Sequence, residues 1–280
     1  MMKNIFSIIL IACIFISSAN AQESDVQDST REKGLAFKIS LNYNSGLNYY
    51  GRTDSMTSSG IFPMAELWFS PKVYINAAPV FVHNQISALE YAGSVATIGY
   101  LYSSNKWLSH LYAMKPFYKE SSQLVQSALK AQTGASFSFL NKVVNITAGG
   151  DMKFSDKIDF GATAGLDHIF RMQRGQSVLV LNPSLFVNAG TQNFTRSYKK
   201  KTGGVLNRRE QQVTEQIQAF NILSYEASLP LIYSKDKFQV LVTPAYVIPQ
   251  NLIQLPDQPE QSEYGKNMLY TTVTVKYTFK

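Results

Sequence analysis

Three histidines, and a single cysteine at Cys13, bound the nucleophilic chemistry open to this 280-residue chain. A His-x-Ser pair on a strand would set an imidazole and a hydroxyl on one face. The residues two places after His83, His110 and His168 are Gln85, Tyr112 and Phe170, so that pair does not occur. Asp167 and His168 are adjacent, and adjacent strand residues point to opposite faces. There is no Asp-x-Asp either. His110, near Trp107 and Tyr112, and His168, at a strand end, therefore read as structural residues. No glycine-rich phosphate loop, nucleophile elbow or metal-ligand cluster stands out. The chain is expected not to be an enzyme and to need no cofactor or metal.

The remaining charges fall into two groups. Lys38, Glu66, Lys130, Asp151, Lys153, Asp159, Glu226 and Lys276 all lie on the polar side of alternating stretches. Arg196, Lys199, Lys200, Lys201, Arg208 and Arg209 crowd into the segment 190–218. What either group can do depends on the elements that carry it.

Those elements are strands. From Gly34 onward the dominant period is two. Leu35, Phe37, Ile39, Leu41 and Tyr43 alternate with Ala36, Lys38, Ser40 and Asn42. Similar runs occupy 61–69, 129–139, 144–154 and 158–167. Each is about as long as the roughly 9–11 residues of a tilted membrane strand, and longer than the roughly 5–6 of a soluble one. Several runs close on an aromatic, a short polar turn and a lysine, as in Phe69-Ser70-Pro71-Lys72 and Phe154-Ser155-Asp156-Lys157. Such aromatics, with Trp68 and Trp107 beside the turns, suit a ring at headgroup depth. The pattern predicts an all-β, transmembrane, antiparallel up-and-down barrel. Twelve strands fit best, with ten or fourteen also compatible. They are read near 34–43, 60–70, 72–83, 94–103, 106–118, 127–139, 142–153, 157–170, 177–189, 219–234, 237–248 and 267–280. An even count puts both termini on the periplasmic side, with long loops at 44–59, 84–93, 190–218 and 249–266 on the other. Two features strain this count. The tight turn Ser155–Lys157 falls among the long loops. Pro63, Pro79, Pro183, Pro230 and Pro244 fall inside strands, where a closed barrel has no free edge to spare.

The N-terminus supplies a reason for such a wall to reach a membrane. Lys3, the apolar run Ile5–Ile16 and Ala19-x-Ala21 make a secretory signal of residues 1–21, with the mature chain starting at Gln22. A lipoprotein reading through Cys13 is opposed by the apolar run continuing past it. Residues 22–33 read as a polar periplasmic tail and 34–280 as the barrel. With the signal removed no thiol remains, which excludes disulfides, thiolate metal sites and a cysteine nucleophile. The net charge of +7 is mild and gives no case for nucleic acid.

The last strand is the most specific signal. Leu269, Thr271, Val273, Val275, Tyr277 and Phe279 share one face. This resembles the C-terminal strand of bacterial outer-membrane β-barrel proteins, which ends in an aromatic and is read by the barrel assembly machinery. Here Lys280 follows the aromatic, a one-residue departure. The resemblance implies an outer-membrane location, with Val273, Val275, Tyr277 and Phe279 as the assembly signal. Within that class, an outer-membrane phospholipase carries His-x-Ser and omptin-like proteases carry Asp-x-His; this chain has neither.

Two functions then compete. In the first, the eight polar-face charges line a water-filled lumen and set which small solutes pass. In the second, they pair across a closed lumen, and the barrel acts through its outer loops as a structural, adhesive or assembly-partner protein. The basic segment 190–218 could meet lipopolysaccharide or anionic solutes, or be a solvated hairpin. Expected partners are outer-membrane lipid, lipopolysaccharide, the assembly machinery and small solutes. A membrane hydrolase and a soluble β-sandwich are the remaining, weaker alternatives.

Overall fold

The computed structural model describes residues 35–53, 58–85, 88–119, 129–202, 209–254 and 262–279, with the backbone alone for 193–202 and 209–218. The expected signal segment, Cys13 and the expected polar tail lie outside the described residues.

The strands are β1 (Ala36–Asn44), β2 (Ser59–Trp68), β3 (Val73–His83), β4 (Glu90–Ser103), β5 (Trp107–Tyr118), β6 (Ala131–Phe139), β7 (Asn145–Phe154), β8 (Ile158–Asp167), β9 (Phe170–Arg174), β10 (Ser177–Leu181), β11 (Ser184–Thr202), β12 (Arg209–Ser228), β13 (Leu231–Lys235), β14 (Phe238–Pro249) and β15 (Met268–Phe279). Neighbours pair antiparallel from β1 through β8, then β8 with β11, β11 with β12, β12 with β14, β14 with β15 and β15 back to β1. The result is a closed barrel of twelve strands. The short strands β9, β10 and β13 extend the wall beside the first half of β14.

The three short strands continue β8, β11 and β12 across breaks at 168–169, 182–183 and 229–230. Prolines explain where the breaks fall. Proline cannot donate to a ladder but can accept. His168 N–H donates to Pro183 O at 3.1 Å, Asn182 N–H to Pro230 O at 2.9 Å and Leu229 N–H to Pro244 O at 3.0 Å. Three prolines thus share one seam around the wall, each keeping the bond it can still make. Pro63 and Pro79 share another. The β2–β3 ladder is interrupted between Ile61↔Phe81 and Ala65↔Ala77, and that register sets Pro63 opposite Pro79.

Twelve strands also resolve the strained turn. Ser155–Lys157 is a tight connection at the end of the barrel that carries the longer loops, closed by Ser155 N–H to Lys157 O at 3.0 Å. The segment 190–218 is not a loose loop. β11 and β12 run on together as a hairpin whose backbone register holds from Gly190↔Asn221 out to Thr202↔Arg209.

The wall has two faces. Phe37, Ile39, Leu41 and Tyr43 of β1 point outward and are exposed, whereas Ser40, Asn42 and Asn44 point inward and are buried. Leu185, Leu269, Ile98, Phe137, Ile146 and Phe160 continue the exposed apolar face around the barrel. A soluble protein rarely exposes an apolar surface this continuous; lipid is the solvent it matches. Of the two tryptophans, Trp107 faces outward and packs edge-on to Phe139 at 5.0 Å. Trp68 does not sit in an outer girdle. It turns into the lumen, because it shares the inward parity of Glu66 and takes that carboxylate as its hydrogen-bond acceptor.

Candidate functional site

The lumen is layered. Toward the loop end its wall carries Phe62, Val80, Val82, Val95 and Met114, packed together with Leu47 of the β1–β2 connection. Ala245, Val247, Met268 and Tyr270 form a second apolar group on β14 and β15. Below these comes a polar layer, and toward the opposite end stand two smaller apolar groups, Leu101 with Leu108 and Val178, Val180 and Ile232 with Leu241. Thr274 Oγ1 donates to Asn42 Oδ1 at 2.8 Å, Asn145 Nδ2 to Asp167 Oδ2 at 2.8 Å and Asn188 Nδ2 to Ser224 Oγ at 3.2 Å.

The inward charges divide into groups. On β2 and β15, Glu66 and Lys276 meet at 3.2 Å, each only 2% exposed. Trp68 Nε1 donates to the other Glu66 oxygen at 3.1 Å, and Lys38 Nζ lies 4.7 Å from the centre of the Trp68 ring. On β7 and β8, Lys153 forms an ion pair with Asp151, and Asp159 is the register partner of Lys153. Glu226, buried on β12, shares a hydrogen bond with Tyr270. Lys130 does not belong to this set. It precedes β6 rather than lying in it, and pairs with Asp156 at 2.9 Å where both side chains are largely exposed.

Aromatic residues link the polar wall. Tyr74 OH and His110 Nε2 are 2.8 Å apart. Tyr74 lies 4.8 Å from Trp68, ring centre to ring centre, and His110 lies 5.5 Å from Tyr112. Gln132 Nε2 donates to Tyr112 OH at 3.0 Å. His110 is thus held inside a packed row. His168 Nδ1 lies 2.7 Å from Val143 O at the opposite end of the barrel from the long loops.

The central feature is the β1–β2 connection, which enters the lumen. Its sequence folds it locally. Asn44 Oδ1 accepts from Gly46 N–H at 2.9 Å, and Asn48 Oδ1 accepts from Gly51 N–H at 3.0 Å, the local turns that asparagine favours. Tyr49 and Arg52 exchange both backbone hydrogen bonds, at 2.8 and 2.9 Å. Tyr50 and Gly51 between them have φ of 53° and 76°. Two positive φ values make this the type I′ geometry of a tight hairpin. A Cβ on Gly51 would stand 2.8 Å from the Pro249 ring, so glycine is required twice over.

Arg52 fastens the tip. It is 3% exposed and its Nε meets Glu263 Oε2 at 3.0 Å. Its Nη1 donates to Leu223 O and its Nη2 to Gln250 O, each at 3.0 Å. Thr53 N–H donates to Tyr264 O at 3.0 Å, joining the segment to the β14–β15 connection. On the other side Tyr49 reaches β7. Lys153 Nζ lies 5.8 Å from the Tyr49 ring centre and shares a hydrogen bond with that residue. In the closed ring β7 is the sixth strand from β1 in either direction, so the two stand diametrically opposed. Burial raises the pKa of both Tyr49 and Tyr50 above the usual tyrosine value, so both hydroxyls stay protonated in this setting.

The residues of the predicted assembly signal fall outside the lumen. Val273, Val275, Tyr277 and Phe279 line the outer face of β15. Phe279 packs on Phe37 at 5.5 Å and on Tyr277 at 4.8 Å. Arg196, Lys199, Lys200 and Lys201 lie on β11 and Arg209 on β12, in the part given by backbone alone; Arg208 lies outside the described residues.

A closed antiparallel barrel with an apolar outer face and a polar inner one is the architecture of bacterial outer-membrane β-barrel proteins. No family model matches the chain, and no curated protein does. Among solved structures it is similar to the KdgM porin, with 8% identity, a TM-score of 0.44, and coverage of 88% of this chain and 99% of that one. It is also similar to an outer-membrane channel from Pseudomonas putida F1, with 8% identity, a TM-score of 0.48, and coverage of 89% and 96%. A third is the translocator domain of the autotransporter NalP from Neisseria meningitidis, with 10% identity, a TM-score of 0.38, and coverage of 96% of each chain.

Proposed function

We propose that this barrel is a narrow passive channel of the bacterial outer membrane for small solutes, constricted at its loop end by the β1–β2 segment. The observation that carries the reading is the contact of Tyr49 with Lys153 across the lumen. A strap held at Arg52 on one side and at Lys153 on the other narrows the lumen above an inner wall that carries Asn, Ser, Thr, Lys and carboxylate side chains. The charged groups that border the strap, Lys153, Asp151, Asp159 and Glu263, are the ones a passing ion would meet. Export by residues 1–21 and insertion through the β15 signal fit the same location.

A closed barrel acting through its outer loops is the second reading, favoured by the burial of Leu47 against Phe62, Val80 and Val82. Planar-bilayer recordings of the mature chain, Gln22 to Lys280, separate the two. A channel gives small reproducible steps, and replacing residues 46–52 by a short Gly-Ser link enlarges them. A folded barrel silent in both forms is a closed one.

A further inference from the structure

The outer wall is bulky over most of its area, but over β2 to β6 it is hollowed. Ala65, Ala77 and Ala96 are register partners across β2, β3 and β4, and Ala113 of β5 lies between Ile98 and Thr133. Phe37, Leu67, Ile75 and Phe154 stand at the margins. Between them runs an apolar groove of about 650 Å³. That is within the roughly 300–1,000 Å³ range of sites that hold small molecules.

Lys115 lines this groove. It points outward from β5, near the loop end, with its Nζ 5.5 Å from the Phe117 ring centre. Among the described residues of β2 to β6 its charge has no carboxylate to meet on that face. Across β2 to β6 the described carboxylates are Glu66, buried on the inner face, and Glu90, whose register partner Val82 faces inward. A lysine near the end of a membrane strand turns its ammonium to the headgroup level, where anionic groups meet it. A second copy of the chain, docked by the same face of β2 to β6, would bring another Lys115 and, on that face, no described carboxylate of those strands. Membrane phosphate headgroups would bring the anion, and their acyl chains suit an alanine-floored groove.

We propose that this groove is a lipid site, in which the phosphate of a membrane lipid rests on Lys115 and one acyl chain lies over Ala65, Ala77, Ala96 and Ala113. The site requires a lipid-facing wall and is independent of whether the lumen conducts.

Native mass spectrometry of the full chain, offered phosphatidylglycerol and phosphatidylcholine with identical acyl chains, tests it. The expected result is one retained lipid per barrel, with the anionic lipid preferred. Lys115→Gln lowers that preference roughly fivefold, as one lysine near an anionic surface would. Ala96→Leu lowers retention of both lipids, and Ala113→Leu serves if that variant does not fold. Lys72→Gln, in a turn at the other end, leaves the preference unchanged. Equal retention of the two lipids, a preference untouched by Lys115→Gln, an equal effect of Lys72→Gln, or a dimer in place of bound lipid would each overturn the proposal.

Discussion

Tyr49 and Lys153 meet across the barrel, the ammonium 5.8 Å from the ring centre, although β1, which leads into the Tyr49 segment, stands opposite β7 in the wall. A loop that touches the far wall divides the lumen, and the chemistry that holds it there sets how easily it leaves. The predictions below follow from those contacts.

Arg52→Ala should loosen the strap without unfolding the barrel. It strips the guanidinium from Leu223 O, Gln250 O and Glu263, all partners near the loop end. Bilayer recordings should show larger steps and more frequent flicker than the parent chain. Unchanged records would mean that Arg52 does not hold the segment in place.

Glu66 and Lys276 form a buried pair, and breaking one side is worse than removing both. Glu66→Gln takes the carboxylate charge away from the buried Lys276 ammonium and should cost about 3–5 kcal/mol. The double variant Glu66→Met with Lys276→Met should recover much of that loss. Urea unfolding in lipid vesicles, followed by tryptophan fluorescence, measures both. A single variant as stable as the parent would show the pair to be solvated.

Two glycines of positive φ separate strain from crowding. Gly51 has φ of +76° and faces the Pro249 ring, while Gly175 has φ of +59° with nothing within 4 Å. Gly175→Ala should cost about 1–2 kcal/mol from conformation alone. Gly51→Ala adds the clash with Pro249, so it should also expose the β1–β2 segment to an external protease. Equal proteolysis of the two variants would contradict the contact.

Phe279→Ala removes the aromatic that joins β15 to β1 through Phe37. Refolding yield into vesicles, read by the gel shift of the folded barrel, should fall. Phe279→Tyr should restore it, since an interfacial ring is what the position requires.

The lipid-facing pattern was legible in the sequence because period two is a local property. Phe37 to Tyr43 and Leu269 to Phe279 sort onto one face from alternation alone, and the strand count of twelve follows from their spacing. Lys130 escaped because alternation gives parity but not where a strand begins. Trp68 escaped because an aromatic beside a turn suits either face, and the acceptor that selects the inner one is Glu66, two residues back on the same strand. The inward strap was the larger omission. A signal for it was present: Ile61-Phe62-Pro63-Met64 and Val80-Phe81-Val82 are apolar on both faces, so something had to cover the inner one. What covers it is a contact of long sequence separation, which no local pattern encodes. The proline seam was half legible. The prolines had to mark breaks, but their alignment needed the register of four strands.

The most direct test of the strap places single cysteines at Tyr49 and Lys153 in the mature chain, which otherwise has none. A short disulfide-containing bis-maleimide should join them within one barrel. The joined barrel should give small, steady conductance steps, and reduction of the linker should return the flicker and size of the unlinked form. Failure of the two sites to link in a folded barrel, or linked and released barrels that conduct alike, would contradict a strap across the lumen.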